Sequence, residues 1–128
     1  MNSSPKHPPD AASDTTGARA ERLAADYLMR HGLTIVGRNF RTRFGEIDLI
    51  ARDGRTLVFV EVRMRTSRAY GGAIESITAA KRARLVAAAN GYLAMLGREP
   101  PCRFDAILLQ GLDPGRVSWQ RDILGVDG

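Results

Sequence analysis

With 128 residues the chain has room for one domain with a single core of sheet and helices. Its lone cysteine, Cys102, forbids an intrachain disulfide and makes a cytoplasmic setting the expectation. Its histidines are His7, in the N-terminal stretch, and His31, near a predicted helix end, places that argue against a Ser-His-Asp triad built from ordered residues and against a Cys/His zinc cluster. A formal charge of +5 and a pI near 10.1 favour an anionic partner. Neither a G-x-x-x-x-G-K-[ST] loop nor a G-x-G-x-x-G turn is present to cradle the phosphates of a nucleotide.

Met1 to Thr16 is rich in Ser, Pro, Asp and Thr, without apolar periodicity or an apolar signal-peptide core. It is expected to be a disordered tail, and no segment reaches membrane-spanning length. A helix is predicted from about Gly17 to His31, with Ala20, Leu23, Ala24, Tyr27 and Leu28 as its apolar stripe and Gly32 as its stop. Leu33 to Phe40 reads as a strand. Gly45 to Ala51 and Thr56 to Arg63 read as two more, joined by the turn signal Arg52-Asp53-Gly54-Arg55. Met64 to Ile77 reads as a long loop with Tyr70 near its tip. A second helix is predicted from Thr78, its N-cap, to Leu96, with Leu85, Ala88, Ala89, Tyr92 and Leu96 facing the core. Cys102 to Leu109 is a further strand and Val117 to Ile123 a short terminal one. The order α-β-β-β-α-β predicts an α/β (α+β) domain over residues 17–124, a mixed sheet flanked by helices, with 125–128 as a C-terminal tail.

The chemistry concentrates in the predicted hairpin. Alternation puts Glu46 and Asp48 on one face of its first strand. On its second strand Phe59, Glu61 and Arg63 share a face, opposite Val58, Val60 and Val62. Charged groups among aliphatics are costly unless they are paired, hydrated or bound to a cation. Antiparallel pairing can bring Asp48 and Glu61 together, and a divalent cation removes their repulsion. Hard oxygen ligands with no sulfur or imidazole nearby indicate Mg²⁺ or Mn²⁺. The plainer alternative is a pair of surface carboxylates bridged to Arg43, Arg55 or Arg63. Between Arg38 and Arg68 eight arginines surround four carboxylates, an acidic pocket rimmed with base that suits metal-assisted chemistry on a phosphodiester.

Gly45-Glu46-Ile47-Asp48-Leu49-Ile50, Val60-Glu61-Val62-Arg63, the helix carrying Glu21, the stretch Lys81-Arg82-Ala83-Arg84-Leu85 and the strand Arg103-Phe104-Asp105 together resemble the PD-(D/E)XK nuclease superfamily. The resemblance is closer to the YraN-type bacterial family, which looks like the archaeal Holliday-junction resolvases, and covers roughly Gly17 to Ile123. It implies a restriction-endonuclease-like fold, with Asp48 and Glu61 as metal ligands and the Val62 carbonyl as a further one. It also implies that Glu21 approaches the metal, often through water, and that Glu46 belongs to the same motif. Ile47 stands where the pattern has its proline, which binds nothing. Arg63 stands where it has its lysine. Arginine can stabilise developing charge but cannot accept a proton, because its pKa stays above about 12.

Lys81, Arg82 and Arg84 open the second helix, where cations oppose the macrodipole by roughly 0.3–1 kcal/mol each. This placement makes them candidates for binding nucleic acid, as are Arg65, Arg68 and, by stacking, Tyr70. Each could equally be a solvated surface charge. Asp105 is expected to pair with an arginine, and Trp119 to pack on the sheet. The leading expectation is an Mg²⁺- or Mn²⁺-dependent endonuclease acting on DNA in preference to RNA, on branched or distorted forms, with no membrane partner. A homodimer stays open as its assembly. The alternatives are a degenerate nucleic-acid-binding protein that keeps the fold, or a basic interaction protein without metal.

Overall fold

The computed structural model describes residues 15–65, 78–113 and 115–125. Helix α1 (Thr16–Arg30) begins where Thr15 accepts a hydrogen bond from the Ala18 amide at 3.1 Å, a side-chain cap for an otherwise orphaned donor. It therefore starts slightly before the expected Gly17. Beyond its end, Gly32 takes a φ of 93°, in the left-handed region where a Cβ is disfavoured. Helix α2 (Ala79–Leu96) is capped by Thr78, which accepts from the Lys81 amide at 3.2 Å, and ends at left-handed Gly97. Among the described residues no helix is long and apolar enough to cross a membrane.

Strands β1 (Thr34–Thr42), β2 (Gly45–Asp53), β3 (Thr56–Arg65), β4 (Cys102–Gln110) and β5 (Val117–Gln120) form one mixed sheet in the order β1-β2-β3-β4-β5. Only β3 and β4 run parallel, and the chain between them supplies the crossover that a parallel pair requires, through α2. The α+β class and the predicted α-β-β-β-α-β order are both observed. Val58 and Val60 pack with Leu49, Ala51, Ile107 and the Ala24–Leu28 face of α1. Leu57 and Phe59 face the other way, onto Leu85, Ala88 and Ala89 of α2. Phe59 is wholly buried, with the rings of Tyr92 and Phe104 at centroid distances of 6.0 and 5.3 Å. Truncating such a side chain to alanine costs about 3–5 kcal/mol.

One end of β4 is tied down by Asp105, the one wholly buried acid among the described residues. Its carboxylate accepts from Arg103 Nε at 3.1 Å, Trp119 Nε1 at 2.9 Å and the Asp122 amide at 2.9 Å. Arg103 also reaches Asp53 of β2 at 3.1 Å. A buried charge with every oxygen engaged is tolerated. It fixes β5 and the end of β2, and so holds the sheet on which the site is built.

Candidate active site

Pairing between β2 and β3 runs from Asp53↔Thr56 to Leu49↔Val60, and among the described residues it goes no further. Beyond it β2 keeps its hydrogen bonds to β1 and β3 keeps its own to β4, so the sheet forks at Asp48 and Glu61. The Val62 amide donates to Asp48 Oδ2 at 2.8 Å, a side chain standing where a strand carbonyl would otherwise be. Strict alternation fails here as well. Ile47 lies in the α2 layer but Leu49, two residues on, lies in the α1 layer. The strand turns over at Asp48, between the pairs Phe40↔Ile47 and Arg38↔Leu49, and the intervening Asn39 of β1 has a φ of 51°. Alternation along the strand alone therefore does not fix the face that Asp48 takes.

That turn-over exposes Asp48 to groups from both helical layers. Glu21 of α1 hydrogen-bonds to Asp48 and to the Asn39 side chain. Burial, and then the Asp48 charge, raise the Glu21 carboxyl above the usual range. Burial likewise raises Asp48, against the opposing pull of the Val62 amide. Glu61, on the α2 side, is pushed up to about 7 by burial and then by the charge of Asp48. Three carboxyl groups from α1, β2 and β3 thus converge where none ionises easily.

Two cations answer Glu61. Arg63 Nη1 lies 3.7 Å and Lys81 Nζ 3.9 Å from the same oxygen, Oε2. Lys81 comes from the first turn of α2, and with Arg84, Glu46 and Glu61 it lines one cavity. Helix and strand can come this close because residue 45 is glycine. A Cβ at that position would collide with the Arg84 carbonyl. Glu46 is exposed and pairs with Arg41 at 3.8 Å.

The structure therefore brings Glu21, Asp48, Glu61 and Arg63 together, with Glu46 at the rim. Lys81 and Arg84, expected to form a phosphate-binding patch, stand on the carboxylate cavity itself. Arg82 is half-buried, and its Nε has no hydrogen-bond partner among the described residues. Arg68 and Tyr70, and the side chain of Arg65, lie outside the described residues. Asn39 was not anticipated. The only signal for it is that asparagine tolerates the left-handed region better than most residues.

No three acidic, histidine or cysteine side chains form a ready-made metal cage among the described residues. The donor set nevertheless fits a hard cation. Asp48 and Glu61 are two half-buried, mutually repelling carboxylates, and Mg²⁺ commonly takes one or two such groups and completes its shell with water and phosphate.

A model of the uncharacterised protein family UPF0102 matches residues 20–109. A UPF0102 protein of Nitrosospira multiformis is 54% identical over 111 residues, covering 87% of this chain and 93% of its own. Another, from Nitrosomonas europaea, is 48% identical over 112 residues, covering 88% of this chain and 95% of its own. A third, from Methylobacillus flagellatus, is 51% identical over 106 residues, covering 83% and 93%.

Proposed function

Since the chain belongs to the uncharacterised family UPF0102, the YraN-type family, we propose a function from its site: a cytoplasmic, metal-dependent nuclease acting on DNA. The observation that carries this reading is the convergence of Asp48 and Glu61 at the sheet fork. Both are raised above their usual range, and they are faced by Arg63 and Lys81. A carboxylate pair so disposed gains most from a divalent cation, and the arginine-rich surroundings suit a phosphodiester.

Asp48 and Glu61 would hold the Mg²⁺ or Mn²⁺, with the Val62 carbonyl as a further ligand. When bound, the ion supplies the positive charge that acidifies a water and polarises the scissile phosphate. The Val62 amide orients Asp48. Glu21, hydrogen-bonded to Asp48, would help to position that carboxylate and could orient a water beside a cation held there. Arg63 and Lys81 meet the negative charge that develops on the phosphate oxygens. Arg63 cannot take a proton, so it acts through charge alone.

A second reading is a degenerate binding protein. It is favoured by the closeness of Arg63 and Lys81 to Glu61, since two cations there could stand in for the metal. Calorimetric titration with Mn²⁺, followed by cleavage assays on linear, flapped and four-way DNA, separates the two. A site weakened severely by Asp48→Asn and by Glu61→Gln, with metal-dependent cleavage, supports the nuclease. Metal binding without turnover supports the second reading. Equal Mn²⁺ affinity in wild type and both variants removes the metal site altogether.

A further inference from the structure

We propose that Phe44, at the tip of the β1–β2 hairpin, is a wedge that stacks on an unpaired base of bound DNA and gives the protein its preference for distorted over regular duplex. The inference rests on the proposed DNA partner and specifies which structural feature of that DNA is read.

Phe44 is 66% exposed, whereas Phe59 is buried and Phe40 and Phe104 pack against the α2-side core. A two-residue hairpin tip usually carries polar residues or glycine. Neither Arg43 nor Phe44 takes a left-handed conformation, and the turn is held instead by Thr42. The Thr42 hydroxyl oxygen accepts from the Phe44 amide at 3.0 Å and the Gly45 amide at 3.1 Å, and lies 3.1 Å from the Gly45 carbonyl. Turn formation thus leaves residue 44 free in chemistry, while the backbone that carries its ring is held by the Thr42 hydroxyl. Gly45 adds to that rigidity, because its backbone is seated on the Arg84 carbonyl of α2. A ring presented from a backbone already fixed has only its own two side-chain torsions to order on stacking.

The charge around the tip selects the occupant. The Arg43 guanidinium lies 5.5 Å from the centre of the Phe44 ring, and Arg41 and Arg84 flank the hairpin. This is an aromatic face among cations, the combination that takes a base with its phosphates on either side. A second copy of a chain with net charge +5 would bring like charge to the same place. In a regular duplex each base is already stacked on both faces, so only an unpaired or end base can receive the ring. Position along the chain connects the wedge to the chemistry. Phe44 precedes Asp48 by four residues, about 13 Å at strand spacing, so a captured base would lie within a few nucleotides of the cleaved phosphate.

The test measures binding of the full chain in EDTA, which separates it from any failure of the metal site or of turnover. The probes are a labelled DNA duplex and the same duplex with a bulge containing 2-aminopurine. Wild type should prefer the bulge and quench its fluorescence. Phe44→Ala should weaken bulge binding by about 5- to 150-fold, the range for one lost base–aromatic stack, with duplex affinity nearly unchanged. Phe44→Trp should retain both preference and quenching. If bulge preference and quenching persist but wild type cleaves nothing, the wedge stands and the nuclease reading fails. Equal effects of Phe44→Ala on the two DNAs, no effect, or no DNA binding by wild type would overturn the wedge. So would a dimer that Phe44→Ala dissociates in sedimentation, which would assign the ring to a contact between copies.

Discussion

Lys81 reaches to 3.9 Å from Glu61 from the first turn of α2, the end of the helix at which a cation is least welcome. Placement against the macrodipole is offset by two raised carboxylates across the cavity, since Lys81 lowers both Asp48 and Glu61. If the site is catalytic, Lys81 and Arg63 divide the role that a single strand lysine plays elsewhere. Lys81→Ala should reduce cleavage on the order of 10²–10³-fold, the scale of one lost electrostatic stabiliser. Lys81→Arg should recover most of it. Mn²⁺ affinity measured by calorimetry should hold or rise in Lys81→Ala, because a competing cation has left the ligand. A role in phosphate binding alone would instead raise KM and leave kcat unchanged.

The raised carboxyl groups give the metal-free protein a characteristic pH dependence. Glu61 has a native value of about 7 against an ordinary 4.5, so between these values the folded state binds more protons than the unfolded state. Stability attributable to Glu61 is therefore fully present below the unfolded value and lost as pH rises toward 7. Denaturation by urea in EDTA at pH 5 and pH 8 should show this loss, on the order of 1–3 kcal/mol. It should be largely absent in Glu61→Gln. Asp48→Asn should also stabilise the metal-free protein at pH 8. With Mn²⁺ the order reverses, because protons then compete with the cation. A wild-type stability that rises from pH 5 to pH 8 in EDTA by the same amount as that of Glu61→Gln would contradict the assignment.

Gly45 makes a prediction about architecture. Any side chain there meets the backbone of α2 at Arg84, which cannot move without shifting the helix. Gly45→Ala should lower the urea midpoint by the equivalent of about 1–3 kcal/mol, as overpacking does. It should also reduce activity beyond the stability loss, because Lys81 and Arg84 move with the helix. Gly17, in the first turn of α1, provides the control. A Cβ there meets nothing within 4 Å, and Gly17→Ala should be neutral or mildly stabilising.

Most of the sheet was legible in the sequence because its signals are local. Val58, Val60 and Val62 alternate with Leu57, Phe59 and Glu61, and this period of two places the two sets in the layers where they are found. Thr78 announces α2 through its own side chain. The turn-over at Asp48 was not legible. It depends on Asn39 of the neighbouring strand adopting a left-handed conformation, and nothing in Glu46-Ile47-Asp48 records that. The meeting of Glu21 with Asp48 could be expected only by resemblance, since a glutamate on the border of a helical stripe looks alike whether it faces water or a carboxylate. The sequence points to Lys81 as a phosphate contact because helix position is visible there, whereas the distance to Glu61 is set by how closely Gly45 lets α2 approach.

Arg63 separates a working nuclease from a degenerate one. It lies 3.7 Å from Glu61 on the same strand face, so its charge stands beside one of the two proposed ligands. Permanent charge and a planar fork favour electrostatic stabilisation and exclude proton transfer. If metal-activated water is the nucleophile and Arg63 supplies charge, Arg63→Lys should keep or raise cleavage, and Arg63→Ala should cost on the order of 10²–10³ in rate. The double variant Arg63→Ala with Lys81→Ala should lose less than the product of the two single losses, because both cations act on the same Glu61-side charge. In the degenerate case wild type cleaves none of the linear, flapped or four-way substrates with Mg²⁺ or Mn²⁺. Activity appearing in Arg63→Lys would then identify Arg63 as the lesion. Cleavage that survives Asp48→Asn, or is indifferent to both Arg63 changes, would place the chemistry outside this site.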